Sequence, residues 1–406
     1  MINPISDLSR SPGFTPLITA RFISNLGNGL SPIALAYGVL SLPGATANDL
    51  SLVMAARIAP MIIFMLFGGV VGDRFKRNRI VGGADMIGSL FASVSAISFI
   101  AGFASVPLLA IMGGLFGVLN ALWWPAMSGV LPDILPKQSL QRGNAVVGLL
   151  SNFGFVLGAL IGGAVVTVFG SGWALLVDAL SFFIAGLLVW RIDLPPIPLR
   201  EKNSIFRDLK IGWNEFISRS WVVAVVLGFT FINLCFEATI SVLGPLAFNS
   251  GGHGPRIWSF NLAAAVAGMF VGGILSLKLH FSRPLLTGLL AVALTPAWIL
   301  TMGLGLKLPI ILLTAFIAGM AIEIFGVSWS TSMQKNIPEA SYSRVVSYDA
   351  LGSYALAPIG IAIAGPLAEW IGISHTLYGA ALLTLVAALL PLTLKSVRNL
   401  KLSQKE

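Results

Sequence analysis

The sequence predicts an all-α membrane protein with twelve transmembrane helices in two six-helix pseudo-repeats. Composition is the first reason: 56% of the 406 residues are hydrophobic, 10% are charged, and mean hydropathy is +0.90. Soluble globular chains do not reach these values. The apolar runs are the second. They last about 20 residues or longer, whereas barrel strands would be alternating segments of about ten. In lipid every backbone polar group must be satisfied internally, so runs of this length are helices. The third is the sorting of charge. All 25 Lys and Arg fall in alternate loops and the tails, except Arg256 and Lys307 on the opposite side and Arg21 and Arg57 inside spans. Short basic loops stay in the cytoplasm. A multi-pass protein of the cell (inner or plasma) membrane is expected, with both termini cytoplasmic.

The spans are expected near 15–41, 49–72, 80–101, 106–131, 143–169 and 173–192 in the first half. In the second they fall near 221–248, 257–279, 284–304, 308–333, 344–370 and 374–394. This gives an N-terminal six-helix half at 1–192, a cytoplasmic linker at 193–220 and a C-terminal six-helix half at 221–406. Pro195, Pro196 and Pro198 make the linker start stiff and extended. From Ser204 the spacing of Ile205, Leu209, Trp213 and Phe216 predicts a short amphipathic helix on the membrane surface. The first 13 residues lack a basic stretch followed by an apolar one, so no cleaved signal peptide is expected.

The two halves repeat. A shift of 202 residues superposes Pro136 on Pro338, Ser139 on Ser341, Arg142 on Arg344 and Leu149 on Leu351. The same shift brings Ser151, Gly158, Gly163 and Gly170 onto Ser353, Gly360, Gly365 and Gly372. Shifted by 204, Gly69, Arg74 and Arg79 match Gly273, Lys278 and Arg283, while Asp73 meets Leu277. Parallel repeats of six spans are a transporter plan.

A charge cluster separates the second and third spans. Gly68–Ile80 reads G-G-V-V-G-D-R-F-K-R-N-R-I, with Asp73 ringed by Arg74, Lys76, Arg77 and Arg79. The small Gly69 and Gly72 admit close backbone approach, and Asp73 can accept charge-assisted bonds. The G-x-x-x-D-R-x-x-R spacing resembles the loop 2–3 signature of the major facilitator superfamily of transporters, with Lys76 where the family usually has Gly. The resemblance implies a cytoplasmic gate formed by Gly69, Asp73, Arg74, Arg77 and Arg79. In the fifth span Gly154, Gly158 and Gly162, at intervals of four, line one helix face with Gly163 beside the last, either as a plain packing face or as the family's antiporter signature with Ala159 in the place of its Pro. Gly268 and Gly272 of the eighth span are its expected partner face. The runs Trp123–Ala145, Ala20–Ser24 and Gln334–Val345 are similar to the macrolide-efflux and enterobactin-exporter branch.

Charges in spans are costly, about 2.5–3.5 kcal/mol at a helix centre on insertion scales. Arg21, Arg57, Asp85, Asp178, Glu237 and Glu323 are singled out. Acids outnumber bases in this set, so one-to-one pairing cannot satisfy all of them, and some acid is expected to be protonated for part of a cycle. Asp85 belongs either to the cytoplasmic charge network or to the bundle interior. Arg57 either packs or snorkels, and Asp178 either serves transport or bonds quietly to a neighbouring helix. Resemblance to the family puts the first, fourth, seventh and tenth spans around a central cavity. On that basis Glu237, Glu323 and Asp178 are the candidate proton-coupling residues. Arg21, Asn25, Asn28, Asn120, Trp123, Trp124, Asn233 and Trp329 are candidates for substrate binding, unless the aromatics only fill helix interfaces.

Other functions find little support. The net charge of +9 sits in short loops, so topology explains it and no nucleic-acid partner is expected. The lone Cys235 excludes a disulfide framework. His253, His280 and His375 are scattered and no phosphate-binding loop occurs, so no enzyme, metal or cofactor is expected. The expected protein is a monomeric secondary exporter of an amphipathic small molecule, coupled to protons. A dedicated siderophore exporter is the variant reading, and a lipid scramblase or ligand sensor is the alternative of another class.

Overall fold

The computed structural model describes residues 8, 11–72, 75–194, 205–249, 253–278 and 282–400. Its first six long helices are α1 (Phe14–Leu40), α2 (Ala47–Gly72), α3 (Arg77–Ile100), α4 (Val106–Ile134), α5 (Leu140–Phe169) and α6 (Ser171–Trp190). A shorter helix α7 (Ile205–Ile217) precedes the second set. That set comprises α8 (Ser220–Ala247), α9 (Gly254–Lys278), α10 (Pro284–Gly303), α11 (Leu308–Asn336), α12 (Glu339–Ile371) and α13 (Ile373–Leu389), with breaks described below. Among the described residues eleven helices are long and apolar enough to cross a membrane. The remaining long one is α1, with 27 residues, and it carries Arg21, Asn25 and Asn28.

Two compact units emerge: Met1–Leu199 with Phe248–Phe260, and Arg200–Ala247 with Asn261–Glu406. In the first, α1 packs on α5 and α6, α2 on α4, and α3 on α4 and α6. In the second, α8 packs on α12 and α13, and α10 on α11 and α13. Glycines show why the patterns agree. Gly158 of α5 lies against the Leu26 carbonyl of α1, and Gly360 of α12 against the Leu234 carbonyl of α8. Gly117 of α4 meets the Arg57 carbonyl of α2, and Gly319 of α11 meets the Ala265 carbonyl of α9. The glycines of both pairs obey the 202-residue shift, and their partner carbonyls are related by a shift of 208. The 202-residue shift also relates the turns at Gly170 (φ 87°) and Gly372 (φ 88°), which join α5 to α6 and α12 to α13 in the left-handed region that glycine enters freely.

The glycine stripe of α5 lies on α1. Gly154, Gly158 and Gly162 face Phe22, Leu26 and Leu30 of α1, while Gly268 and Gly272 face Phe316 and Met320 of α11. A period of four locates a close-packing face but does not name the helix that lies on it. Gly163, one position round the helix, faces Ser259 instead.

Three helices are interrupted, each by identifiable chemistry. Pro296 has no N–H for the Val292 carbonyl, and Thr295 Oγ1 donates to that oxygen at 2.8 Å. In α12, helix Glu339–Tyr354 stops and Ala357–Ile371 restarts. Pro358 cannot donate to the Tyr354 carbonyl, and α8 serves the unwound turn. Thr230 Oγ1 donates to the Gly352 carbonyl at 2.9 Å, and Asn233 Nδ2 to the Ser353 carbonyl at 2.9 Å. Finally, α8 widens into a π turn at Thr239–Leu243. Such turns often mark functional positions.

The linker helix α7 packs on the rest of the second unit through its C-terminal turn. Phe216 is buried in the core of the second unit with Trp221, Val222 and Val345. The ring centroids of Trp213 and Phe216 lie 5.5 and 5.9 Å from Tyr348. Gly212 permits the approach, since a Cβ there would sit 3.0 Å from Arg344 Cβ. Phe216 is thus buried against protein, while Trp213 stays about half exposed.

Gly158→Leu is expected to lower folding yield and thermal stability, because a side chain would collide with backbone that cannot yield; overpacking usually costs about 1–3 kcal/mol. Gly148→Ala, with nothing within 4 Å, should behave like wild type. Thermal unfolding of both variants in detergent checks this, and equal midpoints would refute the packing assignment.

Candidate functional site

Each unit carries its own polar centre. In the first, Arg21 of α1 reaches over Trp123 of α4, with Cζ 5.0 Å from the ring centroid, a cation–π arrangement. Asp85 of α3 is the acid that both face, and it is 6% exposed. This decides the open reading of Asp85: it belongs to the bundle interior. Arg21 Nη1 and Trp123 Nε1 are buried with no hydrogen-bond partner among the described residues. Two unspent donors thus stand beside one carboxylate. Trp124 meets Trp123 edge to face at 5.6 Å and is itself exposed. Asn25 and Asn120 donate Nδ2 to the carbonyls one turn earlier, Arg21 at 2.7 Å and Phe116 at 3.2 Å. Their Oδ1 atoms remain as acceptors. Asn28 is half-buried on α1.

Arg57 neither snorkels nor merely packs. Its Nη1 donates to Ser31 Oγ at 3.2 Å, and the buried Asp178 of α6 feels its charge.

In the second unit the centre is built on α8, α11 and α12. Glu237 is half-buried on α8, one residue before Ala238 and the π turn. Asp349 of α12 accepts from Trp329 Nε1 at 2.9 Å and from Ser353 Oγ at 3.2 Å. The Ser353 carbonyl is the one that Asn233 clasps. Tyr354 stands in the fields of both Glu237 and Asp349. Aromatic rings continue from the indole: Trp329 stacks near Phe325 at 6.0 Å, and Phe325 on Phe229 at 4.2 Å. Glu323 is half-buried, with its side chain against Gly272 and Gly273 of α9.

Asp349 was missed among the acids within spans, although it lies inside the expected span 344–370. Its signal is the same as that of the others, an acid in an apolar run. Position 147, its mate under the 202-residue shift, is Val147, so the repeat does not point to it.

At the charge cluster, Asp73 and Arg74 lie outside the described residues, and so do the side-chain surroundings of Gly69. The neighbouring bases are tied down. Arg77 Nη1 donates to both oxygens of Asp133 at 2.8 and 2.9 Å, and to the Gly129 carbonyl at 3.3 Å. Gly129 has no side chain to block that path; a Cβ would fall 2.6 Å from Arg77 Cδ. Arg79 lies over Trp190 at 4.3 Å. Lys76 Nζ donates to the Leu194 carbonyl at 3.2 Å, and Asn78 Nδ2 to that of Ile192 at 2.7 Å. The start of α3 is thereby fastened to the ends of α4 and α6. Asp133 is the acid that sequence reasoning overlooked, in L-P-D-I-L-P at the end of α4.

A repeated six-helix plan with acids and bases buried between helices defines a multi-pass membrane transporter of small molecules. The chain belongs to the Major Facilitator Superfamily, whose family model matches residues 17–358. It is similar to the multidrug efflux pump Tap of Mycolicibacterium fortuitum, with 25% identity over 403 residues covering 96% of this chain and 97% of the relative. It is also 25% identical over 415 residues to the enterobactin exporter EntS of Escherichia coli, covering 98% and 95% of the two chains. The crystal structure of the nucleoside transporter NupG superposes with a TM-score of 0.73 at 13% identity, covering 94% of this chain and 98% of that one, a likeness of fold.

Trp329→Phe keeps the ring stack but removes the indole donor to Asp349. A hydrogen bond to a charged group contributes about 1.5–3 kcal/mol, so the thermal midpoint should fall. In an Asp349→Ala background the same change should cost nothing further. Additive losses in this double-mutant cycle would show that the bond does not hold the site together.

Proposed function

We propose that this protein is a secondary active exporter, moving an amphipathic small molecule out of the cell by alternating access coupled to protons. The observation that carries the reading is the way the second unit keeps its acids. Asp349 is held by an indole N–H and a hydroxyl, Glu323 packs on glycines, α8 carries no Lys or Arg, and the only one on α11 is Lys335 in its last turn, about three turns beyond Glu323. Carboxyls kept in a bundle by neutral groups can gain and lose a proton without breaking an ion pair. The efflux names of Tap and EntS support the outward direction.

Glu237, Glu323 and Asp178 are the proposed proton-coupling residues. Arg21, Asn25, Asn28, Asn120, Trp123, Trp124, Asn233 and Trp329 are proposed to contact the ligand, Asn233 by fixing the α12 turn beside it. Gly69, Asp73, Arg74, Arg77 and Arg79 are proposed to form the gate, with Asp133 added, on a monomer whose termini are cytoplasmic. A siderophore exporter is the second reading. It is favoured by the unspent donors of Arg21 and Trp123, which suit an anionic catecholate, and by the likeness to EntS.

Glu237→Gln and Glu323→Gln keep size and hydrogen bonding but remove titration. In proteoliposomes both variants are expected to retain energy-independent ligand exchange and to lose uphill transport driven by a pH gradient. The ligand is chosen from growth challenge with drugs and under iron limitation. If both still concentrate ligand against its gradient, the coupling assignment fails. If wild type ignores the pH gradient, proton coupling itself fails.

A further inference from the structure

A second buried polar centre lies in the first unit, apart from Arg21 and Trp123. Ser31 of α1, Arg57 of α2 and Asp178 of α6 meet at a cavity of about 30 Å³, also walled by Phe91, Ser95 and Phe116. Arg57 is anchored twice, through its bond to Ser31 Oγ and by its Cζ at 5.0 Å from the Phe116 ring. Asp178 is 2% exposed, and its Oδ1 has no hydrogen-bond partner among the described residues. An orphaned carboxylate oxygen is costly. The space open to a water's centre is enough for at least one water, and Asp178, Ser31, Ser95 and Arg57 supply the two to four polar partners that a buried water needs.

Helix α1 is weakest where it meets this cavity. Pro32 has no N–H, so the Asn28 carbonyl loses its helical donor. Ser31 is the residue before it. Gly27, one turn earlier, lies directly on α6, where a Cβ would sit 2.5 Å from Asp178 Oδ1. Any change at Asp178 is thus felt by α1 over residues 27–32, the segment that also carries Asn28.

We infer that the cavity holds a water bound to Asp178 Oδ1, and that Asp178, Arg57 and this water form a proton-loading site that acts on α1 through Ser31. The inference rests on the proton-coupled reading above and adds Arg57 and Ser31 to it as positioning residues. In the loading step a hydronium at the water position transfers its proton to Asp178 Oδ1. Water and a neutral carboxyl remain, and no electrons are exchanged. Arg57 then faces no anion, and its bond to Ser31 and the Phe116 ring are what hold it. Arg57 is the charged group that faces Asp178. The faces that α3 and α4 turn to the cavity (Phe91, Ala92, Ser95, Leu109, Met112 and Phe116) carry nothing titratable. On α6 the neighbours are Leu175 and Ser181, and α5 has no titratable residue beyond Arg142 in its first turn.

Infrared difference spectra of the purified full-length protein, taken between alkaline and acidic pH, test the site without any ligand. A carboxylic C=O band should appear on acidification and be absent in Asp178→Asn. An internal-water O–H band should shift in H₂¹⁸O and vanish both in Asp178→Asn and in the cavity-filling Ser95→Leu. Ser31→Ala, which leaves the acid in place, should keep the C=O band but move its midpoint by about tenfold in proton concentration. Identical spectra for wild type and Asp178→Asn would overturn the site. Ser31→Ala with an unmoved midpoint would overturn the link to α1. If Asp178→Asn loses both bands yet drives ethidium efflux like wild type, the site's part in coupling is overturned. No pH-driven transport by wild type, with both bands present, would instead sink the coupled reading and leave the site standing.

Discussion

Backbone lying directly on backbone is the constraint from which the rest of each unit follows. In a bilayer, lipid tails are as apolar as Leu, so helices gain little by hiding apolar side chains from lipid. They associate by close packing, and the closest packing needs residues without side chains. Helices α1 and α5 meet this way from both sides, with Gly158 on the Leu26 carbonyl and Gly29 on that of Phe155. The contact holds α1 in a single position. Arg21 can then lie over Trp123, and Ser31 beside Arg57, with little slack in either.

That precision has a purpose, because polar groups in such a bundle have no solvent to fall back on. Each break in a helix is answered by a neighbouring hydroxyl or amide, as at Thr295, Thr230 and Asn233. The Asp349 carboxylate is answered by neutral donors, Trp329 and Ser353. Among the described residues, the buried side-chain atoms left unanswered include Arg21 Nη1, Trp123 Nε1 and Asp178 Oδ1. Unsatisfied groups in a low-dielectric interior are high in energy and sensitive to any proton or ligand that relieves them. A transporter needs such places, since a ligand can shift only an equilibrium in which it changes the interaction free energy.

The repeat also separates architecture from chemistry. Gly117, Gly158 and Gly170 recur as Gly319, Gly360 and Gly372 in equivalent contacts and turns. The buried charges named above do not recur. Asp349 has Val147 as its mate, and Arg57, whose carbonyl meets Gly117, has Ala265 in its place against Gly319. Packing has been kept in both halves, while each half carries different chemistry on it.

The sequence by itself determined the helices, their order, the two-fold repeat and the residue types that carry charge into the membrane. It could do so because hydropathy over about 20 residues and glycine at intervals of four are local properties of the chain. Only the tertiary structure decided which helix each face meets. The glycine stripe of α5 points to α1, Arg77 finds Asp133 at 56 residues' remove, and Trp213 and Phe216 of α7 find Tyr348. Nothing local distinguishes one apolar helix from another as a partner. That choice is made by the shapes of all the faces packed together, so the identity of each buried charge's neighbour follows from the assembled bundle.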